Sequence, residues 1–416
     1  MNRIARTLPR AASYWTAAGV AAIALWTSGA PSTTYPLYEA DWHVTPAVTT
    51  TVFAVYPLAL VIVLLLFGDL ADHIGRRAAI LLGLAAMLVG ALLFAVAPGI
   101  GLVFVGRVFM GIGVGLALSP ASAAVVEFSA KGRERAAGSV TTAGTALGLA
   151  LATLVGGALI QYAPFPLHLD FWVLVVAIAV VGGAVWFLPR HTRDESRGPW
   201  RPRGVAVAPG IRFLYTVAAL AVSVAYMFGA VFLALGAQIA EEVTHTTNVF
   251  EVGVIIAIMS VVIGITAIAT RSVRPQTTIA IGSIATLFAF ALLLASDFSG
   301  SLGVFIITTL VAGAAYAMMF AGGLALIGQN APAHHRAGTI SAVYLVAYVL
   351  QGAIAVVLGI VATDNGLRAA LELGAGTVAI FALASLAAAL AFVLRNRARV
   401  EHRVTDAPTW ASVMEE

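Results

Sequence analysis

Long apolar runs alternate with short polar segments along almost the whole chain. Each run is about 20 residues long, the length that an α-helix needs to cross the hydrocarbon core of a bilayer. In LLGLAAMLVGALLFAVA, residues 81–97, the apolar residues fill every side, whereas the strands of a transmembrane barrel would alternate apolar and polar residues. The pattern therefore predicts an all-α integral membrane protein with twelve transmembrane helices, at residues 14–38, 48–67, 78–97, 102–127, 137–160, 168–189, 213–239, 250–270, 277–296, 302–327, 337–361 and 369–394.

Composition agrees with a membrane protein. Apolar residues make up 61% of the chain, charged residues 10%, and the mean hydropathy is +0.98, far above that of soluble domains. The basic arm before the first run resembles the start of a signal peptide. Because the run that follows is too long for a signal peptide and eleven more runs come after it, we interpret it as an uncleaved first helix.

The basic residues predict the orientation, because Lys and Arg collect in cytoplasmic segments. With both termini in the cytoplasm, every Lys and Arg falls in an inner segment except Arg107, inside a span, and Arg368, at an outer helix end. We therefore expect a multi-pass protein of the plasma membrane, in a bacterium the inner membrane. This topology and the anionic lipid bilayer explain the pI of 9.6, so no nucleic-acid partner is needed.

The longest polar interruption divides the chain in half. It is PRHTRDESRGPWRPRGVAVAPG, residues 189–210, between the sixth and seventh spans. At an offset of about 200 residues, GRERAAGSV (132–140) faces AHHRAGTIS (333–341), which is a faint internal repeat. We expect two six-helix pseudo-repeat halves, 1–189 and 213–394, a cytoplasmic central loop at 190–212 and a cytoplasmic tail at 395–416, with substrate binding near the midplane between the halves.

A charged motif fills the predicted turn between the second and third spans. The segment GDLADHIGRR resembles the signature of the major facilitator superfamily, which has Gly, three residues, Asp, two residues, Gly and two basic residues; its positions are Gly68, Asp72, Gly75, Arg76 and Arg77. The resemblance extends over all twelve spans and implies that fold. It also implies that Asp72 and Arg76 join Glu127 in a gating cluster that stabilises the outward-open state. In the alternative, the arginines only set the topology.

Arg107 is the one basic residue inside a predicted span, in GRVFMGIGVG. A charge at this depth costs about 2.5–3.5 kcal/mol on insertion scales, so its side chain should face protein or a water-filled cavity. It could bind an anionic substrate group directly, or sense the protonation of a nearby carboxylate. In the alternative, Arg107 is satisfied by hydrogen bonds between helices.

Mid-span polar and aromatic residues are candidates for the cavity wall. The segment SGAPSTTYPLYEADW in span one resembles drug or sugar efflux permeases of the superfamily, and Pro31 and Pro36 can kink this helix. Met and aromatic side chains suit adaptable recognition of hydrophobic ligands, although each one singly could equally pack against another helix. The candidates for substrate binding are Arg107, Trp26, Ser28, Tyr56, Met110, Tyr226, Tyr316, Met319, Tyr344, Tyr348 and Gln351.

Proton coupling needs carboxylates, and no Asp or Glu lies at the clear centre of a span. Those nearest the membrane are Glu39, Asp41, Asp72, Glu127, Asp170 and Glu372. In span five, Ala152 and Thr153 stand where the superfamily's antiporter motif has Gly-Pro, so this indicator of proton-coupled efflux is only partial.

These features predict a secondary active transporter that works by alternating access. The favoured function is proton-coupled export of a small amphipathic or hydrophobic compound, as in drug-efflux antiporters of multidrug resistance; the alternative is uptake or facilitated diffusion of a small polar solute such as a sugar or an organic anion. An enzyme is not expected, because there is no H-E-x-x-H segment, nucleotide-binding glycine loop or soluble domain. The chain has no cysteine, which excludes a cysteine-ligated metal, and we expect no metal and no cofactor. We also expect a monomer whose partners are the substrate and protons.

Overall fold

The computed structural model describes residues 7–68, 70–130, 134–189, 207, 209–244, 246, 248–299 and 301–405. These residues form helices and short turns, with no strand among them. The helices are α1 (Arg10–Gly29), α2 (Tyr35–Trp42), α3 (Pro46–Phe67), α4 (Leu70–Ile74), α5 (Arg76–Ala95), α6 (Ile100–Phe128), α7 (Glu134–Tyr162), α8 (Leu169–Trp186), α9 (Arg212–Ala234), α10 (Gly236–Thr244), α11 (Val249–Ala269), α12 (Pro275–Ser299), α13 (Leu302–Asn330), α14 (Ala333–Asn365) and α15 (Leu367–Thr405).

Eleven helices of the described residues are long and apolar enough to cross a membrane: α3, α5–α9 and α11–α15. They correspond to the second through twelfth predicted spans, so the all-helical membrane fold is confirmed. The prediction of twelve spans is not confirmed in number, because α1 is not among the eleven.

The first predicted span, 14–38, is not one continuous helix. The α-helix ends at Gly29, a 3-10 turn follows at Ala30–Thr33, and α2 begins at Tyr35. Pro31 has no amide hydrogen to donate to the preceding turn, which explains the interruption. The seventh predicted span, 213–239, is also too long, since α9 ends at Ala234 and α10 continues from Gly236.

Two pairs of helices join the first six spans to the last six: α3 packs against α14, and α7 packs against α11. Backbones come very close in both pairs. A side chain at Gly253 would collide with the carbonyl oxygen of Thr153, and one at Gly359 with the hydroxyl of Thr50. Small residues at such crossings let membrane helices approach closely, and the glycines at these two positions therefore permit the tight contacts.

Three hydrogen bonds close one end of the bundle, which we call the Glu39 end. Gln238 Nε2 donates to Glu39 Oε1 at 3.0 Å. The backbone N–H of Ala47 donates to Thr363 Oγ1 at 3.0 Å, and that of Val249 donates to Gln161 Oε1 at 2.9 Å. Each bond links helices or loops of the first six spans to those of the last six. The opposite end, where α5 begins and α6 ends, is called the Arg76 end.

Candidate functional site

A cavity of about 450 Å³ lies between α1, α3, α6 and α7 on one side and α9, α11, α13 and α14 on the other. It extends from the middle of the bundle toward the Arg76 end, where Leu64, Ser122 and Leu324 lie near the ends of their helices. No charged residue is present among the described residues that line it. The cavity can therefore hold a small molecule without offering it a counter-charge.

Aromatic side chains from α9, α13 and α14 form one wall of the cavity. The ring centroids of Tyr226 and Tyr348 are 4.6 Å apart, and those of Tyr226 and Phe320 are 5.8 Å apart with an interplanar angle of 22°. Tyr344 lies 6.3 Å from Tyr226 at 17°, and Tyr316 lies 6.2 Å from Phe320 at 26°. These ring pairs are inclined by 17° to 41° and form a cluster, here called the aromatic wall.

Hydroxyl side chains from α6 and α7 form the facing wall, here called the hydroxyl wall: Ser119, Ser122, Thr141, Thr142 and Thr145. Ser122 Oγ donates to the carbonyl oxygen of Leu118 at 2.8 Å, and Thr145 Oγ1 donates to that of Thr142 at 2.8 Å. Because a hydroxyl has one hydrogen and two lone pairs, these two groups keep acceptor capacity for a ligand.

Arg107 lies away from the cavity, in a buried polar cluster of the first six spans. Its side chain is 0% exposed, and its guanidinium stacks over the rings of Tyr56 at 4.8 Å and Phe53 at 5.8 Å. Nη1 donates to the carbonyl oxygen of Ser28 at 3.1 Å, next to the break in span one. Nε and Nη2 make no hydrogen bond, so the arginine is only partly satisfied by its neighbours.

Asp170 belongs to this buried cluster through Tyr38, which interacts electrostatically with both Asp170 and Arg107. It is 1% exposed, and neither of its carboxyl oxygens has a hydrogen-bond partner. The buried hydroxyls of Tyr35 and Tyr38 are likewise without partners. A side chain at Gly156 would reach Asp170 Oδ2 at 3.3 Å, so the small residue of span five leaves room beside the carboxyl. Unsatisfied polar groups are rare in buried sites, and this concentration of them indicates a functional cluster.

The predicted gating turn is only partly described, since the side chain of Asp72 lies outside the described residues. Arg76 forms an ion pair with Glu127, which ties the start of α5 to the end of α6. Arg77 donates to the carbonyl oxygen of Leu188 at 3.2 Å and lies over the ring of Trp186. Gly75 has a φ of 88°, a conformation that favours glycine, which accounts for glycine at this turn. Gly68 directly follows the end of α3.

Glu39 joins several elements at the Glu39 end. Its Oε1 accepts from Thr49 Oγ1 at 2.6 Å as well as from Gln238. Burial raises the pKa of Glu39, while its two hydrogen bonds act to lower it. The pKa of Glu241 is also raised, by burial and by the nearby charge of Glu39. This Glu39–Gln238–Glu241 group is therefore a candidate proton site outside the membrane-crossing helices.

The other predicted carboxylates lie in different surroundings. Asp41 is exposed at the end of α2. Glu372 forms an ion pair with Arg368 at 3.3 Å, and its side chain is 57% exposed. Neither is brought to the cavity or to the Arg107 cluster by the described contacts.

Four of the predicted substrate-binding residues line the cavity: Tyr226, Tyr316, Tyr344 and Tyr348. The others are not in its lining: Trp26, Ser28, Tyr56, Arg107, Met110, Met319 and Gln351. Met110 and Met319 are fully buried between helices, and Met319 Sδ accepts from Ser283 Oγ at 3.5 Å.

Sequence reasoning missed Phe320 and the whole hydroxyl wall. Phe320 stands four residues after Tyr316, as Tyr348 stands four after Tyr344. Residues four apart share a helix face, so this spacing could have revealed it. The Thr141, Thr142 and Thr145 set likewise shares one face near the start of α7.

A bundle of membrane-crossing helices around a cavity of this size defines a membrane transporter for small molecules. The sequence profile of the Major Facilitator Superfamily matches residues 17–295, and the chain belongs to that superfamily. It is therefore a transporter and not an enzyme, as predicted.

One curated relative is the "Multidrug efflux pump LfrA" of Mycolicibacterium smegmatis, 30% identical over 182 residues, or 42% of this chain and 34% of the pump. The chain thus spans about a third of the length of this relative. Two solved structures, each 14% identical, share the fold. They are a mutant of the nucleoside transporter NupG, with a TM-score of 0.74 over 90% of this chain and 99% of that one, and a bacterial homologue of the human lysosomal transporter Spinster, inward-facing and unoccupied, with 0.66 over 91% and 96%.

Proposed function

We propose that this chain exports a small hydrophobic or amphipathic compound in exchange for protons, by exposing one cavity alternately to the two sides of the membrane. Two six-helix halves, residues 1–189 and 213–394, rock against each other around this cavity, and the loop 190–212 joins them. The similarity to a multidrug efflux pump over 182 residues supports efflux.

The cavity, whose described lining residues carry no charge, is the observation that carries the proposal. Small-molecule sites are usually apolar clefts of roughly 300–1,000 Å³, and the cavity of about 450 Å³ falls within that range. Its walls come from both sets of helices, so a rocking motion would change its access. Hydroxyls are its polar lining, beside many apolar and aromatic side chains, which suits an amphipathic compound better than a sugar or an organic anion.

The predicted orientation is compatible with export. The positive-inside rule assigns the Arg76 end to the cytoplasm, and the cavity extends toward that end while hydrogen bonds close the Glu39 end. In this orientation the conformation is closed outside and can take up a compound from the cytoplasm or the inner leaflet. Arg76 and Glu127 act as part of the gate that opens and closes this end.

Asp170 and Arg107 are the proposed proton-coupling pair. Both are buried with hydrogen-bonding atoms unsatisfied, and a buried charge interacts strongly with its neighbours because screening is weak. Gain or loss of a proton at Asp170 would change its attraction to Arg107. Since Arg107 also holds the carbonyl oxygen of Ser28 at the break in span one, such a change would reach the helix that lines the cavity through Leu25. Arg107 acts in this scheme without touching the substrate.

Purified protein in proteoliposomes tests the proposal. An imposed pH gradient should drive accumulation of a hydrophobic compound on the acidic side, opposite to the flow of protons, and movement of the compound should in turn evoke proton movement. Asp170→Asn should keep the exchange of compound across the membrane but lose both effects. If transport by the wild type is unchanged by a pH gradient of either sign, the protein works by facilitated diffusion instead.

A further inference from the structure

The two walls of the cavity differ in chemistry, and that difference restricts the substrate. Aromatic rings, four of them tyrosines, dominate the side formed by α9, α13 and α14, whereas α6 and α7 present serine and threonine hydroxyls. A ligand that fills the cavity therefore meets ring surfaces on one side and aliphatic hydroxyls on the other. This inference rests on the proposed function, in that it takes the cavity as the transport site.

The net charge of the ligand is limited first. No carboxylate and no basic side chain is among the described lining residues, and transfer of an unpaired ion from water into such a site is costly. Arg107, which is buried within α6, contacts Phe53, Tyr56 and the Ser28 carbonyl and is not among the residues that line the cavity. Among the described lining residues, neither an anion nor a cation finds a charged partner.

A cation could still bind to ring faces, because aromatic cages hold quaternary ammonium groups. Such a cage needs several ring faces turned toward one point. In the aromatic wall the rings of Tyr226, Phe320 and Tyr344 are inclined to one another by 17° to 36°. Ring planes inclined by such angles do not converge on one point as the walls of a box do, and offset stacking with a flat ring is the contact that such rings favour.

The hydroxyl wall limits the polar atoms of the ligand. Ser122 Oγ and Thr145 Oγ1 donate their hydrogens to the carbonyl oxygens of Leu118 and Thr142, each at 2.8 Å. What they can offer to a ligand without breaking these bonds is lone pairs. At this wall, a hydrogen-bond donor of the ligand would therefore find an acceptor. A ligand group that can only accept would compete with the backbone carbonyl oxygens for the hydrogens of these two hydroxyls.

We infer that the substrate class is uncharged, flat aromatic compounds that carry O–H or N–H donors on one edge. The ring lies on the aromatic wall, and the donor edge faces Ser122 and Thr145.

A matched set of probes on one ring system tests this inference by equilibrium dialysis against the full chain in nanodiscs, with empty nanodiscs to subtract lipid partitioning. The probes are naphthalenediol, its dimethyl ether, naphthalenesulfonate and naphthyltrimethylammonium. We expect the diol to bind about tenfold more tightly than each of the other three, because one lost hydrogen bond or one unpaired charge is enough for that ratio.

Variants identify the wall that makes each contact. Thr145→Val and Ser122→Ala should bring the affinity for the diol down to that for the dimethyl ether, and leave the affinity for the ether unchanged. Tyr344→Ala should weaken both neutral probes by a similar factor, whereas Tyr344→Phe should keep them. Ser385→Ala is the matched control, since Ser385 is a buried serine of α15 that is not in the lining.

Three results would overturn the inference: tighter binding of the cation or the sulfonate than of the diol, equal loss of diol and ether in Thr145→Val, or no binding of the diol above empty nanodiscs. These results leave the proposed function separately testable. Proton-coupled export of a cationic dye by the same preparation would refute the substrate class and support the function. Diol binding without any response to a pH gradient would support the substrate class and refute proton-coupled export.

Discussion

Gln238 and Glu39 are 199 positions apart in the chain and share a hydrogen bond of 3.0 Å at the Glu39 end. The bond ties α10 to α2, and Glu241 lies near enough for the charge of Glu39 to raise its pKa. When both carboxyl groups are ionised they repel each other, and when one is protonated the repulsion disappears. We therefore expect the closure of this end to depend on pH.

Acid on the Glu39 side should stabilise the closed conformation. The pKa values of Glu39 and Glu241 are raised in this conformation, chiefly by burial, and would return toward ordinary values when the end opens to water. A carboxyl group with a raised pKa binds its proton more tightly in the closed state. Its contribution to the stability of that state is therefore complete below the ordinary pKa and is lost as the pH rises through the raised pKa. Maleimide labelling of Ala54→Cys, buried at the α3–α14 contact, should be several-fold slower at acid pH.

The exposed position His43→Cys provides the reference for the intrinsic pH dependence of the thiol reaction. In the double variant Glu39→Gln, Glu241→Gln the ratio of the two labelling rates should become independent of pH. An unchanged pH dependence in that variant would exclude these carboxyl groups as its cause.

Single cysteines also test the topology, because the natural chain contains none. A cysteine at position 43 should react from outside intact cells. Cysteines at positions 131 and 198 should react only after the inner face has been exposed. Reaction of position 198 with an impermeant reagent in intact cells would contradict the arrangement of two halves joined by a cytoplasmic loop.

The Arg76–Glu127 ion pair should matter for transport more than for folding. Each side chain is about one third exposed, and exposed pairs contribute roughly 0–1 kcal/mol to stability. Arg76→Ala and Asp72→Asn should therefore lower the transport rate strongly while the amount of folded protein in the membrane changes little. Arg77→Ala should be milder in transport rate.

The charge-swapped variant Arg76→Glu, Glu127→Arg is the control for this prediction. It restores an ion pair in reverse, and should recover part of the transport that Arg76→Glu alone loses. Near-normal transport in all three single variants, Asp72→Asn, Arg76→Ala and Arg77→Ala, would reduce the turn to a signal for topology.

Arg107→Ala should abolish transport and also destabilise the protein. The substitution removes the hydrogen bond to the Ser28 carbonyl and the stacking on Tyr56, and it leaves a void, for which a loss of about 2–4 kcal/mol is expected. Arg107→Lys should restore little, because a lysine keeps the charge but not the planar group that stacks and donates. Transport rates are to be compared in samples matched for monodispersity; normal transport by Arg107→Ala would make this arginine purely structural.

The close contact of α7 with α11 predicts that bulk at position 253 prevents closure. A side chain there would meet the carbonyl oxygen of Thr153, part of the backbone, which cannot move aside as a flexible side chain can. Gly253→Val should slow transport by more than about tenfold and speed the labelling of Ala54→Cys. Gly183→Val is the matched control, because nothing lies within 4 Å of a side chain built at Gly183; equal effects of the two substitutions would mean a general helix defect.

Much of the fold could be predicted from the sequence because the apolar runs are long. Eleven predicted spans correspond to membrane-crossing helices, and the Pro31 kink was foreseen at the point where α1 ends. The rotation of each helix could not be predicted, since runs that are apolar on all sides carry no periodic signal. For this reason Tyr226 and Tyr344 line the cavity, while Met110 and Met319, chosen on the same grounds, are packed between helices.

The polar clusters show the second limit of sequence reasoning. Glu39 and Asp170 stood out singly as carboxylates near the membrane, yet nothing local indicates that Glu39 meets Gln238 or that Asp170 lies in the same cluster as Arg107. Such pairs depend on how distant helices pack, which a single sequence does not contain.

The polar, interrupted character of the first span has a consequence for biosynthesis. The helix α1 emerges from the ribosome before the helices it packs against, but it is not apolar enough to be counted with the eleven membrane-crossing helices, and its Thr27 and Ser13 are fully buried in the finished bundle. Its partners, α6 and α7, are synthesised about a hundred residues later. We therefore expect α1 to enter the bilayer incompletely at first and to reach its final position only when α6 and α7 have been synthesised. Truncation of the nascent chain before α6 would then leave α1 accessible to water.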